Sequence, residues 1–340
     1  MQVPRVSRNS HSARMALAIG LVVVFVLAAA PWWAGRADMR LMSEFFLYLA
    51  LASLWNLLAG YAGLVSVGQQ AFVGFGGYML FALTMIGGVD PILAIAATAL
   101  LGAAISVPVA ILIFRLRGAY FAIGTWVIAE VCRLTSAQIS SLGGGSGTSL
   151  PISIVKSMAQ SRAMRESLSY WLALGATVAV IAAIFVVLRS RRGLALTAIR
   201  DNELAAESLG IDIWRTKFSI YIIVSAMTAV VGALIFLQKL RISPDAAFSV
   251  NDWTAFVIFI VVIGGIGTIE GPIIGALIFF ALRETLADLG TTYLMFLGLV
   301  AIVTMLKAPR GVWGYIRERI DIQLFPLEYR VQRTSTSDKI

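Results

Sequence analysis

The sequence predicts an all-α, polytopic transmembrane helical bundle of eight to ten spans, with both termini on the cytoplasmic side. Three observations carry that prediction. The chain of 340 residues is 59% hydrophobic and only 13% charged, far too little charged surface for a soluble domain of this length. Apolar runs of roughly 18 residues or more recur along it, each long enough to cross ~30 Å of hydrocarbon. The basic residues collect in the links between those runs rather than on one face. The runs do not alternate between apolar and polar residues, which excludes a β-barrel. The net charge of +9 therefore reflects the positive-inside rule and not a nucleic-acid partner. A single cysteine, Cys132, excludes an intrachain disulfide framework and a cysteine-based metal cluster.

Residues 1–15 carry Arg5, Arg8 and Arg14 and read as a cytoplasmic tail, in which the one histidine, His11, is solvated. The permease region is 16–306. Its first span, Ala16–Trp33, is followed by Gly35-Arg36-Ala37-Asp38 without a small-residue cleavage site, so it reads as retained and not as a signal peptide. The second span runs from Leu41 to Gly60. The segment Gly60–Leu80 is apolar but broken by Gly60, Gly63, Gly68, Gly74, Gly76 and Gly77 and by Ser66, Gln69 and Gln70. Spans follow at Ile92–Phe114 and Ala119–Gln138, then a link over 139–168, then a span at Tyr170–Leu188.

After a polar interruption at 189–217, Phe218–Leu237 crosses again. Residues 254–285 hold two apolar pieces joined by a link that contains Gly264, Gly265, Gly267, Glu270, Gly271 and Pro272. The last span, Thr292–Leu306, leads to a basic cytoplasmic tail, 307–340, whose last residues read as disordered. The segments 1–15, 115–118, 189–217 and 307–340 hold 18 of the 27 Lys and Arg. That bias places these segments in the cytoplasm and calls for an even number of crossings. Counting both broken segments as crossings makes ten, and a re-entrant loop in either allows eight.

The interruption at 189–217 has a helical pattern. Leu194, Ala195, Ala198, Ile199, Ala205, Ala206 and Leu209 fall on one face, Arg200, Glu203 and Glu207 on the other, and Gly210 marks the stop. Such a helix either lies on lipid or plugs into a partner protein. Its acids disfavour adsorption to anionic lipid, and Ala205 and Ala206 allow close approach, so docking is the favoured reading.

Irregular backbone at membrane depth is costly unless buried in protein or lining a wet cavity. Interrupted spans in both halves point to a midplane site, with tight packing through small residues as the alternative. Asn56, Ser66 and Gln69 are the candidates for polar groups along a pathway, with Gly63, Gly68 and Gly267 beside them. Glu130 and Arg133, three residues apart, are read either as intramembrane functional charges or as a pair that neutralises itself, with Arg133 reaching outward.

No phosphate-binding loop of the form G-x-x-x-x-G-K-[ST] and no cluster with metal-ligand spacing is present. The chain carries no energy source of its own, which suits a pore-forming subunit driven by an external motor. A self-powered carrier is the competing reading and would depend on Glu130 or Glu270. A structural subunit without a pathway fits two broken spans poorly.

Several motifs in order resemble those of the LivM-type permease subunit of branched-chain amino acid ABC importers, in the hydrophobic amino acid uptake transporter family. They are Leu54 to Gln69 (LWNLLAGYAGLVSVGQ), Arg117 to Ile123 (RGAYFAI), Ala198 to Glu203 (AIRDNE) through Gly210, Ser243-Pro244, Gly264 to Gly267, Gly271-Pro272 and Pro309-Arg310-Gly311. The resemblance covers nearly all of 41–314. It implies a docking loop of the Glu-Ala-Ala-x-x-x-Gly type, with Arg200, Asp201, Glu203, Ala205, Ala206 and Gly210 at the ATPase contact. The acid is displaced by one position, because Leu204 stands in its place and Glu203 precedes it. Also implied are a second, unlike permease, two ATPases that use ATP and Mg, a periplasmic solute-binding protein, and alternating access for a branched-chain amino acid in the bacterial inner membrane. Urea or short amides are alternative cargoes for such a fold. No cofactor is expected on this chain itself.

Overall fold

The computed structural model describes residues 6–7, 11–159, 161–286, 290, 292–308, 310–320 and 330–331. Pro309, most of the N-terminal tail and nearly all of the chain after residue 320 lie outside them, as does the side chain of His11. The described chain is helical almost throughout. In order it forms α1 (His11–Ala28), α2 (Arg36–Asn56), α3 (Gln69–Met85), α4 (Pro91–Ile113), α5 (Ala119–Ala137), α6 (Ile152–Met158) and α7 (Arg162–Arg189). It continues with α8 (Arg191–Asp201), α9 (Glu203–Ser208), α10 (Ile213–Lys239), α11 (Pro244–Ala247), α12 (Phe256–Gly264), α13 (Glu270–Thr285), α14 (Tyr293–Lys307) and α15 (Gly311–Ile320).

Six stretches among the described residues are long and apolar enough to cross a membrane: Arg36–Tyr61, Pro91–Ile113, Arg162–Arg189, Ile213–Lys239, Pro244–Gly264 and Tyr293–Arg317. The other four expected crossings correspond to α1, α3, α5 and α13, which are shorter or carry more charge.

Local chemistry sets the helix starts. Asp90 accepts from the Ile92 N–H at 2.9 Å, with Pro91 at the first helical position of α4. Ser161 accepts from Met164 N–H at 3.1 Å to open α7. Asp212 accepts from Arg215 N–H at 2.9 Å to open α10. The carboxylate of Asp38 takes the Gly35 N–H at 3.2 Å and so caps α2 from inside its first turn.

The helices form an inner and an outer set. Helices α2, α3, α10 and α12 are buried over most of their surface. Helix α10 packs against α3 and α4, and α2 against α7. The α3–α10 contact depends on missing side chains: a Cβ at Gly76 would sit 1.8 Å from the Ala229 carbonyl oxygen, and one at Gly232 would sit 2.2 Å from that of Val73. Backbones this close gain dispersion contacts that larger residues forbid, as in membrane helix pairs generally. The outer helices α4, α5 and α14 expose Leu100, Leu112, Tyr120, Val131, Met295 and Leu306, the surface that meets lipid or a neighbouring chain.

Alternation of the helices puts the links 114–118, 190–212 and 265–269 at one end of the bundle, and the segment 62–68 starts there and folds back between the helices. The links 86–90, 138–161 and 240–250 lie at the other. By the charge bias the first end is the cytoplasmic one. At the external end a two-residue ladder joins β2 (Thr148–Ser149) to β3 (Arg241–Ile242), antiparallel, with Thr148 opposite Ile242. A second ladder pairs β1 (Val6–Ser7) with β4 (Arg330–Val331).

Candidate functional site

The two glycine-broken segments meet each other. Helix α2 passes into a π-helical turn, Leu57–Tyr61, and the chain then reverses at Gly63, whose φ is +68°. The loop that follows is tied down on two sides. Trp55 Nε1 donates to the Ser66 carbonyl at 2.8 Å. The Val67 N–H donates to Thr125 Oγ1 on α5 at 3.0 Å. Ser66 Oγ accepts from the Gly68 N–H at 3.2 Å, and a Cβ at Gly68 would lie 2.1 Å from the Thr125 carbonyl oxygen.

The second segment links α12 to α13 through Gly265 (φ +130°) and Gly267 (φ +78°). Thr268 Oγ1 accepts from the Gly271 N–H at 3.0 Å and donates to the Gly265 carbonyl at 2.9 Å, which closes the first turn of α13. Glu270 is buried in that turn, where the helix dipole favours an acid.

Asn56 joins the two segments. Its Oδ1 accepts from the Gly267 N–H at 2.8 Å and its Nδ2 donates to the Thr268 carbonyl at 2.7 Å. A Cβ at Gly60 would lie 2.5 Å from Gly267 N, so the backbones touch there. Arg200, from the docking link, reaches the same spot: its Nη1 lies 3.5 Å from where a Gly267 Cβ would stand.

The first break follows a continuous helical stretch of 26 residues, Arg36–Tyr61, and the chain then folds back beside that helix. Gln69 reaches the Leu51 carbonyl and Gln70 reaches Thr254, each well before the cytoplasmic end of its helix, so at ~1.5 Å per residue the start of α3 lies roughly 15 Å inside the bundle. The second break follows the helical run from Val250 to Gly264. Asn56 and Ser66, read as dipoles for a solute, hold backbone groups here.

Gln69 remains open. Its Nε2 donates to the Leu51 carbonyl at 3.0 Å, while its buried Oε1 has no hydrogen-bond partner among the described residues. Thr254 and Thr228 were missed in the sequence, whereas Gln70 was visible there as one of the polar residues of the broken segment. The Gln70 Oε1 accepts from the Thr254 hydroxyl, and Gln70 Nε2 and Thr228 Oγ1 are buried without partners among the described residues. An unmet buried polar atom costs about 1–3 kcal/mol, so Gln69 and Gln70 on α3 and Thr228 on α10 are costly residues to keep inside the bundle. The adjacent pair Gln69-Gln70 within an apolar run was the available signal for the first two of these.

The docking link is not one helix. Asn202 adopts an extended conformation (φ −162°, ψ 112°), ends α8, and accepts from the Ala205 N–H at 3.1 Å to start α9. The single apolar face read from 194 to 209 is split accordingly. Gly193, Leu196, Ile199 and Ala206 are buried, whereas Leu194, Ala205 and Gly210 are exposed. Leu204 and Leu209 are 79% and 78% exposed, so α9 presents an uncovered apolar edge. Glu203 pairs with Lys217 at the start of α10, and Arg200 with Asp201 at 3.3 Å.

Glu130 and Arg133 form their expected pair, at 2.6 Å, and Arg133 also holds Asp245 of α11 at 2.7 Å. The second acid, 112 residues away in sequence, was not foreseen. The three charges tie α5 to α11 at the external end. Among the described residues no group of three or more His, Cys, Asp or Glu is placed to hold a metal ion.

An all-α bundle with several full-length apolar helices, two broken segments in contact and an exposed cytoplasmic link defines a multi-pass membrane permease. The chain belongs to the family described as the branched-chain amino acid transport system / permease component, whose model matches residues 39–306. Fold and family together make it an integral protein of the bacterial inner membrane. It is 27% identical over 326 residues to the high-affinity branched-chain amino acid transport system permease protein LivM of Escherichia coli (strain K12), covering 89% of this chain and 76% of that one. The corresponding protein of Salmonella typhimurium is 26% identical with the same coverage. A probable branched-chain amino acid transport permease protein LivH of Methanocaldococcus jannaschii is 26% identical over 137 residues, 37% of this chain and 42% of that one. No solved structure matches the chain.

Proposed function

We propose that this chain is one of two unlike permease subunits of an ATP-driven importer that moves branched-chain amino acids into the cytoplasm. The names of its relatives supply the substrate class. Two ATPase subunits, using ATP and Mg, supply the energy from the cytoplasmic side, and a periplasmic solute-binding protein delivers the amino acid. The chain itself is not an enzyme.

One observation carries the mechanism. The exposed edge of α9 leads through α8 and Arg200 to Gly267, and through Asn56 to the first broken segment. ATPase closure pulling on α9 acts on both broken segments at once, because they share that contact. Alternating access then needs a two-state rearrangement of the inner helices. In this reading the unmet atoms of Gln69, Gln70 and Thr228 are the polar groups offered to the moving solute.

The test is co-purification of the tagged assembly in detergent, wild type against Ala205→Trp. Ala205 is exposed, so a larger side chain there leaves the fold intact and blocks an insertion cleft. Retention of the second permease with loss of the ATPases supports the reading. A chain that purifies alone and moves leucine in liposomes without ATP overturns it in favour of a self-powered carrier.

A further inference from the structure

At the external end a cavity of about 490 Å³ opens between the first turns of α2, the first turns of α7 and the last turn of α10. Its inner wall is apolar and aromatic. Tyr48 and Trp253 stack there, with ring centroids 5.8 Å apart and planes 29° apart, beside Leu47 and Ile235. Its lining holds five cations and two carboxylates. Arg36 and Arg162 share Glu166, at 3.7 and 3.0 Å. Arg40, Arg165 and Lys239 have no ion pair among the described residues. Lys239 Nζ instead lies 4.6 Å from the centroid of the Trp253 ring. Glu44 is gripped by both terminal nitrogens of Arg283, at 2.8 and 3.0 Å, and still lines the cavity.

These features call for one kind of ligand. Unpaired cations and two helix N-termini, each the positive end of its dipole, attract an anionic group. The aromatic wall rewards an apolar body and fixes where Lys239 holds its charge. Glu44 has about four acceptor positions and gives two to Arg283, so two are left for a cationic group. The volume lies within the range of about 300–1,000 Å³ typical of small-molecule sites. Nothing in the pathway described above uses any of these residues.

We propose that this cavity is a receiving site on the external face for an apolar α-amino acid. Lys239 and Arg40 take the carboxylate, Glu44 takes the ammonium group, and Tyr48 and Trp253 take the side chain. The inference rests on the importer reading and gives it a place where cargo is held before it enters the bundle. A phospholipid headgroup on an acyl chain shares the same chemistry, an anion beside an apolar body. Glu44 and the closed aromatic wall favour the amino acid.

The experiment uses the whole transporter in lipid nanodiscs, without the binding protein, labelled by a diazirine analogue of leucine and mapped by peptide mass spectrometry. The expected label falls within 36–48 or 235–253. Excess leucine removes it, and leucinamide, which lacks the carboxylate, does not. Lys239→Gln and Arg40→Gln each reduce it about tenfold, the loss expected for one charge-assisted hydrogen bond, in assemblies that still elute intact. No competed label there, equal competition by leucinamide, or a tightly held phospholipid in place of label overturns the site.

Uptake measured in parallel, with binding protein and ATP, separates the two readings. Leucine uptake without a competed label removes this site alone. Absence of both uptake and label removes the importer reading as well.

Discussion

The carboxamide of Asn56 bonds across the broken segments with both of its ends: it takes the Gly267 N–H at 2.8 Å and gives to the carbonyl next along, Thr268, at 2.7 Å. A side chain on α2 thus substitutes for the backbone hydrogen bonds that the α12–α13 link forgoes by not being helical. The same link meets Arg200 from the cytoplasmic side.

Replacing Asn56 by Ala leaves both backbone groups without their partner, at about 1–3 kcal/mol for each unmet buried group. The purified assembly should melt several degrees lower, and uptake should fall further than assembly yield. Asn56→Asp keeps the acceptor for Gly267 and loses the donor for Thr268, so it should fall between wild type and Ala. Thermal melting of the three proteins in one detergent checks the order; identical midpoints would remove the clip from the account.

Leu204 and Leu209 stand almost wholly exposed on α9. Leu204→Ser and Leu209→Ser should change the chain's own stability by no more than about 0.5 kcal/mol, as for exposed sites generally. Both should weaken ATPase retention during purification. Unchanged retention at both positions would show that a different surface docks the motor.

Arg133 neutralises two acids from different elements, Glu130 at 2.6 Å and Asp245 at 2.7 Å. Arg133→Leu should therefore destabilise more than Asp245→Asn, with a difference on the order of 1 kcal/mol because the groups are partly exposed. Glu130→Gln should leave uptake driven by ATP and indifferent to a protonophore. Uptake that collapses with the proton gradient would assign Glu130 the role of a carrier group.

Gln69 keeps one bond, from Nε2 to the Leu51 carbonyl at 3.0 Å, and a buried Oε1 without a partner among the described residues. Gln69→Ala should reduce uptake several-fold while the second permease and the ATPases still co-purify. Gln69→Leu should do the same with less effect on melting, since it fills the volume and removes the unmet polar atom. Full uptake in both variants takes Gln69 out of the pathway.

Much of this was legible in the chain. Apolar run length and the distribution of Lys and Arg are local, one-dimensional signals, and they located the helices and their direction. Glycine-rich breaks at 60–68 and 264–271 were visible for the same reason, since the residues that permit positive φ at Gly63 and Gly267 are named in the sequence. The split between α8 and α9 was less visible. Its cause, Asn202 capping a second helix, was masked by an apolar period that runs across the gap.

The sequence by itself determined the all-α membrane class, the family motifs and the cytoplasmic link, because burial in lipid and the cost of moving charge across it act on each segment separately. Only the tertiary structure decided that Asn56 serves Gly267, that Arg133 serves Asp245, and that Lys239, Glu44 and Trp253 share one cavity. Those partners lie on helices whose mutual rotation is set by packing of the whole bundle. Sequence periodicity gives the face of a helix, and only its neighbours determine what that face meets.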